Sequence, residues 1–122
     1  AGVDARHAGT SDIARAYRKF SGNAQRRRKH WLLHHGTLLY SADTALYARY
    51  LREPADRPEY RGARTHEDFV ENLPLAREAL VYAVVQAFAP GAELQPPDAT
   101  HLTRATKLAT EKYRQRDWTY RL

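Results

Sequence analysis

The stretch RKFSGNAQRRRKHWLLHHGTLLY, from Arg18 to Tyr40, decides the fold. A run of small residues, 21–24, follows Lys19 after a single aromatic residue. Four consecutive cations at 26–29 come next, and the apolar segment 31–40 is interrupted by a polar patch. Glycine lets another group lie against the backbone at no steric cost. The stretch therefore predicts two adjacent strands that a polar ligand crosses near its first glycine, Gly22.

The pattern along the chain places strands before helices, which is typical of an α+β fold. The predicted strands are Ser11–Tyr17, Lys19–Arg28 and His30–Tyr40, forming a small antiparallel sheet of about three strands. The paired leucines at 32–33 and 38–39 indicate burial on both faces of the third strand. Residues Ala1–Thr10 show no periodicity and are expected to form a loop.

Three or four helices are expected to pack against this sheet. Their start signals are Ser41–Asp43, a Thr65/Asp68 capping box, and Asp98 or Thr100. The predicted helices are Thr44–Arg52, His66–Asn72, Leu75–Phe88 and Thr100–Arg116, with a brief strand at Ala92–Gln95. Among them, Leu75–Phe88 is the most hydrophobic and is predicted to be buried. Trp118 and Tyr120 are expected to fold back onto the domain.

Length and composition bound the class of protein. A chain of 122 residues predicts a single domain, 1–122. No apolar run reaches membrane-spanning length, and the first residues lack the apolar core of a signal peptide. Cysteine is absent, which excludes disulfides, thiolate zinc sites and a cysteine nucleophile within these residues. Together these features favour a cytoplasmic protein.

Lys19 and the small residues after it are the first candidate site. A fixed ammonium can stabilise a negative charge that rests on a glycine-containing backbone. The run Ser21, Gly22, Asn23 and Ala24 then offers backbone contact to a ligand, with the Asn23 amide as a side-chain donor. The alternative is structural, because a bulge or tight bend also selects small residues.

The polar patch His34-His35-Gly36-Thr37 invites a metal interpretation, which the strand geometry opposes. Adjacent strand residues point to opposite faces, so His34 and His35 do not readily bind one ion. No third ligand stands at a usable spacing, and we therefore predict no metal site. One histidine is expected to face the core or the pocket, and the other to face solvent.

The cations Arg26–Lys29 contribute to a formal net charge of +6. Such a patch favours an anionic partner: nucleic acid, a nucleotide phosphate or an acidic protein surface. A solvated strand edge, protected by its charges against aggregation, is an equally good explanation. No recognisable nucleic-acid-binding motif accompanies the run, so the sequence disfavours RNA, although Trp31 and Tyr40 could stack on bases.

The segments 19–27 and 33–39, KFSGNAQRR and LHHGTLL, resemble the lysine segment of the lipoate–protein ligase family, within the biotin/lipoate protein ligase superfamily. The similarity continues more weakly through 60–69 and 117–120. It implies that Lys19 contacts the carbonyl and phosphate of an acyl-adenylate. It also implies that the run 21–24 lies along the adenylate and acyl chain, and that His35, Gly36 and Thr37 support the acyl pocket.

The resemblance covers only the C-terminal half of the family's catalytic domain. The family's Arg-Arg-x-x-Gly-Gly-Gly segment has no counterpart, since the six glycines are scattered. The chain could be a fragment, one half of a two-chain enzyme that needs a separate N-terminal half, or an inactive homologue. The absence of cysteine tilts the expectation toward ATP-dependent ligation.

The implied reaction is activation of lipoate (or octanoate) by ATP, with Mg²⁺ whose ligands the sequence does not identify, followed by transfer to a lysine of a lipoyl domain. An octanoyl or lipoyl transferase and a biotin ligase are the alternatives within the enzyme class. A non-catalytic basic module that binds RNA or an acidic protein is the alternative from another class.

Overall fold

The computed structural model describes residues 2–121. Contacts within the chain divide it into two compact units, Ala1–Phe88 and Ala89–Leu122. The first unit holds the whole sheet and the second is helical. The expected α+β class is confirmed, and the single-domain assignment stays a prediction. None of the helices among the described residues is long and apolar enough to cross a membrane.

The sheet has four antiparallel strands in chain order, one more than the sequence predicts. They are β1 (Arg6–Ala8), β2 (Asp12–Arg15), β3 (Arg18–Arg27) and β4 (Leu32–Leu38). The additional strand, β1, lies in the segment expected to be a loop. Its three residues pair with β2 from Arg6↔Ala14 to Ala8↔Asp12. A strand of three residues is too short to show a periodicity in the sequence, and it is defined by its pairing with β2.

A two-residue turn joins β2 to β3 with both residues in the left-handed region, Ala16 at φ 46° and Tyr17 at φ 64°. This geometry matches the twist of the flanking strands but usually selects asparagine and glycine. Arginines hold the turn against a later segment of the chain. Arg64 donates to the Tyr17 carbonyl at 2.8 Å, and Arg18 donates to the carbonyls of Glu67 and Val70 at 2.8 and 2.9 Å.

A β-bulge interrupts the pairing of β2 with β3. The register passes from Ala14↔Lys19 to Ile13↔Ser21, so Phe20 is an additional residue without a direct partner on β2. A bulge changes the alternation of side chains along the strand. Lys19 consequently lies on the face opposite to that of Ser21.

The helices of the first unit are short apart from the last one. They are α1 (Ala45–Tyr50), α2 (His66–Phe69) and α3 (Arg77–Phe88), with a 3₁₀ turn at Glu59–Arg61 between α1 and α2. The predicted cap of α2 is confirmed, because the Thr65 hydroxyl accepts from the Asp68 amide at 3.2 Å. Near α1, the Asp43 carboxylate accepts from the Ala45 amide at 3.1 Å.

The second unit contains α4 (Ala99–Leu108), a π-helical turn (Ala109–Tyr113) and α5 (Arg116–Thr119). Of the two predicted caps, Asp98 and Thr100, the structure has Asp98, which caps α4 by accepting from the His101 amide at 2.8 Å. The strand predicted at 92–95 is absent, since this segment pairs with no other strand of the described chain. Trp118 packs edge-on against Tyr113 within the same unit, with 4.9 Å between ring centroids.

The core of the first unit is small. Phe20, Leu73 and Leu80 form a buried cluster, and Ile13 and Leu38 pack against it from the sheet. Only Leu80 of α3 is buried, so the prediction of a buried helix at 75–88 is wrong for most of its length. The burial predicted for the leucine pair at 32–33 is also wrong, because both side chains are about half exposed. The presence of hydrophobic residues in a segment does not show whether another part of the structure covers them.

Candidate functional site

Six residues that matter for the site lie on one face of the sheet, which we call the lysine face. Antiparallel partners lie on the same face, and alternate residues of one strand do so too. Asp12 pairs with Gly22, and Gly22 pairs with Thr37; the next row is Ala24 with His35. The bulge adds Lys19 to this set. The lysine face therefore includes Asp12, Lys19, Gly22, Ala24, His35 and Thr37.

The Lys19 side chain crosses from β3 to β2 over Gly22. Its Nζ atom lies 2.7 Å from Asp12 Oδ1. A Cβ atom on Gly22 would stand 3.3 Å from that Nζ and 3.4 Å from Cε. Gly22 thus provides the space through which the ammonium reaches the carboxylate. The sequence predicted that a polar ligand crosses the strands near Gly22. In the structure the Lys19 side chain crosses there, and the ligand stays a prediction.

Tyr60 completes the contacts of the Asp12 carboxylate. Its hydroxyl donates to Asp12 Oδ2 at 2.8 Å, and its ring stacks at a tilt on Phe69 with 5.1 Å between centroids. Burial of the phenol is the main reason why the pKa of Tyr60 lies above its ordinary value, and the hydrogen bond to Asp12 raises this pKa further. The hydroxyl therefore remains a donor at neutral pH.

Three of the predicted site residues, Ser21, Asn23 and Gly36, lie on the opposite face. The Asn23 amide nitrogen donates to the Ser11 carbonyl at 2.9 Å and to Ser21 Oγ at 3.1 Å. Ser21 is fully buried. The Asn23 amide group is therefore used to hold the turn before β2 against β3.

Gly36 makes room for this amide group. It is the direct partner of Asn23 on β4, and a Cβ on it would collide with Asn23 Oδ1 and stand 3.0 Å from the Gly22 carbonyl oxygen. The glycine is required by the packing of two adjacent strands. No ligand is needed to explain it.

We expect Gly36→Ala to lower the free energy of unfolding by about 1–3 kcal/mol, because the Asn23 amide must move and lose its buried partners. Urea denaturation followed by circular dichroism measures this loss. Asn23→Ala removes the colliding oxygen, so the double variant should lose less than the sum of the two single variants. Additive losses would show that the two residues do not contact each other.

A groove of about 370 Å³ opens beside the Lys19–Asp12 pair. The segment before α2 lines it with Pro54, Asp56, Pro58 and Arg61, and α2 itself contributes Phe69. The groove thus brings Lys19 together with a second cation and a carboxylate from a distant part of the chain. Its volume falls within the range of small-molecule sites, whereas its walls are more polar than those of most such sites.

The outer part of the lysine face is open to solvent at Ala24, His35 and Thr37. His34 lies on the other face, where its Nδ1 atom is 3.3 Å from Gln25 Nε2. The two histidines therefore lie on opposite faces, as predicted. Both are exposed, so neither is buried in the core, and the expectation that one of them faces a pocket stays a prediction. Among residues 2–121, no group of three or more potential side-chain ligands is placed to hold a metal ion.

Sequence reasoning missed Asp12 and Tyr60. Asp12 falls within the predicted strand Ser11–Tyr17 and Tyr60 within the weakly similar segment 60–69, and neither residue was predicted to belong to a site. A simple hairpin count from the turn at Ala16–Tyr17 would place Asp12 opposite Ser21, because the bulge leaves no signal in the sequence. No sequence signal links Tyr60 to Asp12, since 48 residues separate the two side chains.

The chain is similar to proteins of known class. The family model of the lipoyl protein ligase A/B catalytic domain matches residues 1–91. The octanoyltransferase LipM of Kyrpidia tusciae is 33% identical over 113 residues. This match covers 85% of the chain and 41% of the relative, so the chain spans about two fifths of that protein's length. By the family match and this similarity, the chain belongs to the lipoyl protein ligase A/B catalytic domain family.

Proposed function

We propose that this chain forms part of an enzyme that transfers an octanoyl or lipoyl group to a lysine of a lipoyl domain. The observation that carries the proposal is the Lys19 ammonium, which is fixed over Gly22 at the edge of an open groove. The family membership and the likeness to an octanoyltransferase support the same reaction class.

In this reaction the neutral amine of the acceptor lysine attacks the carbonyl carbon of an activated acyl group. A C–N bond forms, the bond to the leaving group breaks, and the amine loses a proton. Negative charge develops on the carbonyl oxygen in the transition state. A preorganised cation stabilises this charge without reorganising during the step, and Lys19 supplies that cation.

Two activated donors suit such a site, an acyl thioester and an acyl-adenylate made from ATP. The sequence favoured the adenylate, whose phosphate would meet Lys19 and the backbone at Gly22. The similarity to an octanoyltransferase instead favours a donor that arrives already activated. We propose an octanoyl thioester as the donor. The thiol is then the leaving group, and no cysteine of this chain is needed.

Mass spectrometry of an apo lipoyl domain tests the proposal. The protein encoded by the complete reading frame that contains these 122 residues is incubated with the apo lipoyl domain and one of two donor mixtures. The first contains only an octanoyl thioester. The second contains octanoate or lipoate together with ATP and Mg²⁺. A mass gain with the thioester alone supports the proposed donor. A gain that requires ATP replaces it with the ligase reaction, and no gain with either donor contradicts acyl transfer.

The basic hairpin, Arg26–Lys29, is proposed to attract the acceptor domain. It forms the exposed end of β3 and the turn into β4, and no ion pair is found for its four side chains within the described residues. Of these, Arg26 continues the lysine face toward the tip. An acidic surface on the acceptor would be steered to this end of the sheet.

Replacing Arg26 and Arg28 by glutamate should raise the KM for the acceptor roughly tenfold at low salt and leave kcat nearly unchanged, since exposed charges act on encounter. Steady-state rates at several salt concentrations measure this effect. The matched control replaces two exposed arginines of the second unit, Arg104 and Arg114, by glutamate. Equal KM changes in both double variants would contradict a specific role of the hairpin.

A further inference from the structure

The Asp12 carboxylate takes no direct part in the proposed acyl transfer, yet it contacts both the Lys19 ammonium and the Tyr60 hydroxyl. Asp12 is 8% exposed as a residue, and each of its carboxylate oxygens has a partner. One oxygen lies 2.7 Å from the Lys19 ammonium and the other accepts from Tyr60 at 2.8 Å. An ionised carboxylate is costly to bury unless such partners compensate for the lost water.

The carboxylate is held on two sides. Its backbone is part of β2, where Asp12 pairs with both Ala8 and Gly22. Its second oxygen is fixed by Tyr60, whose ring packs on the buried Phe69. Arg61 and Arg64 lie over the same phenylalanine ring, at 4.9 and 5.3 Å from its centroid. The Asp12 oxygen facing Lys19 therefore occupies a defined position.

The lysine has no comparable support of its own. Its side chain is about one third exposed, and a lysine loses rotamer entropy when it is fixed. Gly22 offers no Cβ that would guide it. Among the described residues, the contact with Asp12 is the only ion pair found for the Lys19 ammonium.

We infer that Asp12 is a positioning residue that holds the Lys19 ammonium over Gly22, and that Tyr60 in turn holds Asp12. This inference rests on the proposed function, because the position matters only if the ammonium meets a developing charge. Asp12 acts through Lys19: it holds the ammonium in place before the substrate reacts, so that the cation need not be ordered during the reaction. A misplacement of about 1 Å in such a site costs on the order of 100-fold in rate.

The ammonium signals in nitrogen-15 NMR test the positioning without any activity. These 122 residues contain four lysines, at positions 19, 29, 107 and 112, and the Lys19 signal is assigned by its loss in Lys19→Gln. In the wild-type protein we expect a slowly exchanging Lys19 ammonium signal, which Asp12→Asn abolishes. The exposed Lys29 serves as the internal reference. A Lys19 signal that survives unchanged in Asp12→Asn overturns the inference.

Acyl-transfer kinetics form the second readout. Asp12→Asn should lower kcat on the order of 100-fold, with the KM for the acceptor changed less than about threefold. Asp12→Glu should recover part of the lost rate, and Tyr60→Phe should cause a smaller loss than Asp12→Asn. A full rate in Asp12→Asn overturns the inference, as does an equal loss in Asp12→Glu and Asp12→Asn.

A control variant separates positioning from general stability. Arg15 and Glu71 form a second ion pair of the sheet region, with Nε to Oε1 at 3.0 Å and Nη2 to Oε2 at 3.1 Å. Glu71→Gln weakens this pair without contacting the Lys19 ammonium, and it should leave the Lys19 signal and kcat unchanged. If Glu71→Gln reproduces both effects of Asp12→Asn, the role of Asp12 is structural and the inference fails.

The two readouts also distinguish this inference from the proposed function. If no acyl transfer is found, the proposed function fails, and the Lys19 signal in Asp12→Asn still decides whether Asp12 holds the ammonium. If transfer is found and needs Lys19, a normal rate in Asp12→Asn overturns only the positioning role.

Discussion

Replacing Lys19 by alanine should lower kcat for acyl transfer by about 100- to 1000-fold, the usual cost of removing one donor to a developing oxyanion. The KM for the acceptor should change little, because Lys19 acts on the transition state more than on the bound acceptor. Single-turnover rates with an apo lipoyl domain and a saturating acyl donor measure this effect directly.

The controls for this prediction concern the Asp12 carboxylate, which Lys19→Ala leaves without its cation. Loss of a partner from a fully buried ion pair can destabilise a protein by about 3–5 kcal/mol. The Lys19–Asp12 pair is only partly buried, so a smaller loss is expected, and the thermal midpoint must be measured alongside the rate. Lys19→Gln retains a hydrogen-bond donor near Asp12 and should remain folded, yet should lose nearly as much activity. A full rate in Lys19→Gln would contradict the role of the ammonium.

Replacing Phe20 by alanine should lower the free energy of unfolding by about 3–5 kcal/mol. Phe20 is 4% exposed and belongs, with Leu73 and Leu80, to the buried cluster of the first unit. That cluster is small, so this loss is a large share of the 5–15 kcal/mol typical of a folded domain. Urea denaturation followed by far-ultraviolet circular dichroism gives the value.

Phe88→Ala is the matched control, since it deletes the same side chain from a position that is 82% exposed. It should change the free energy of unfolding by less than about 0.5 kcal/mol. A similar loss in both variants would show that the cluster around Phe20 does not dominate stability. Because Phe20 is also the bulge residue, its removal should disturb the register that places Lys19.

Local sequence signals predicted much of the architecture. The α+β class follows from strands that precede helices, and the caps at Thr65 and Asp98 follow from side chains that bond to nearby amides. The opposite orientation of His34 and His35 follows from the alternation of a strand. All of these depend on interactions within a few residues, which a sequence pattern can reveal.

Burial could not be predicted in the same way. The leucines at 32–33 have the composition of a buried strand, yet about half of each side chain is exposed because β4 is not covered there. The short strand β1 exists through its pairing with β2 and shows no periodicity of its own. Both features depend on what lies next to a segment in space.

The sequence by itself determined that Lys19 and a small-residue run stand together on a strand that pairs with the histidine-containing strand. Tertiary structure alone decided which of these residues share a face. A regular hairpin would place Lys19 with Ser21 and Asn23, whereas the bulge at Phe20 turns it toward Gly22 and Asp12. Tyr60 reaches Asp12 from a distant loop. The physical reason is that one additional residue in a strand reverses the alternation of side chains, and the sequence carries no local mark of it.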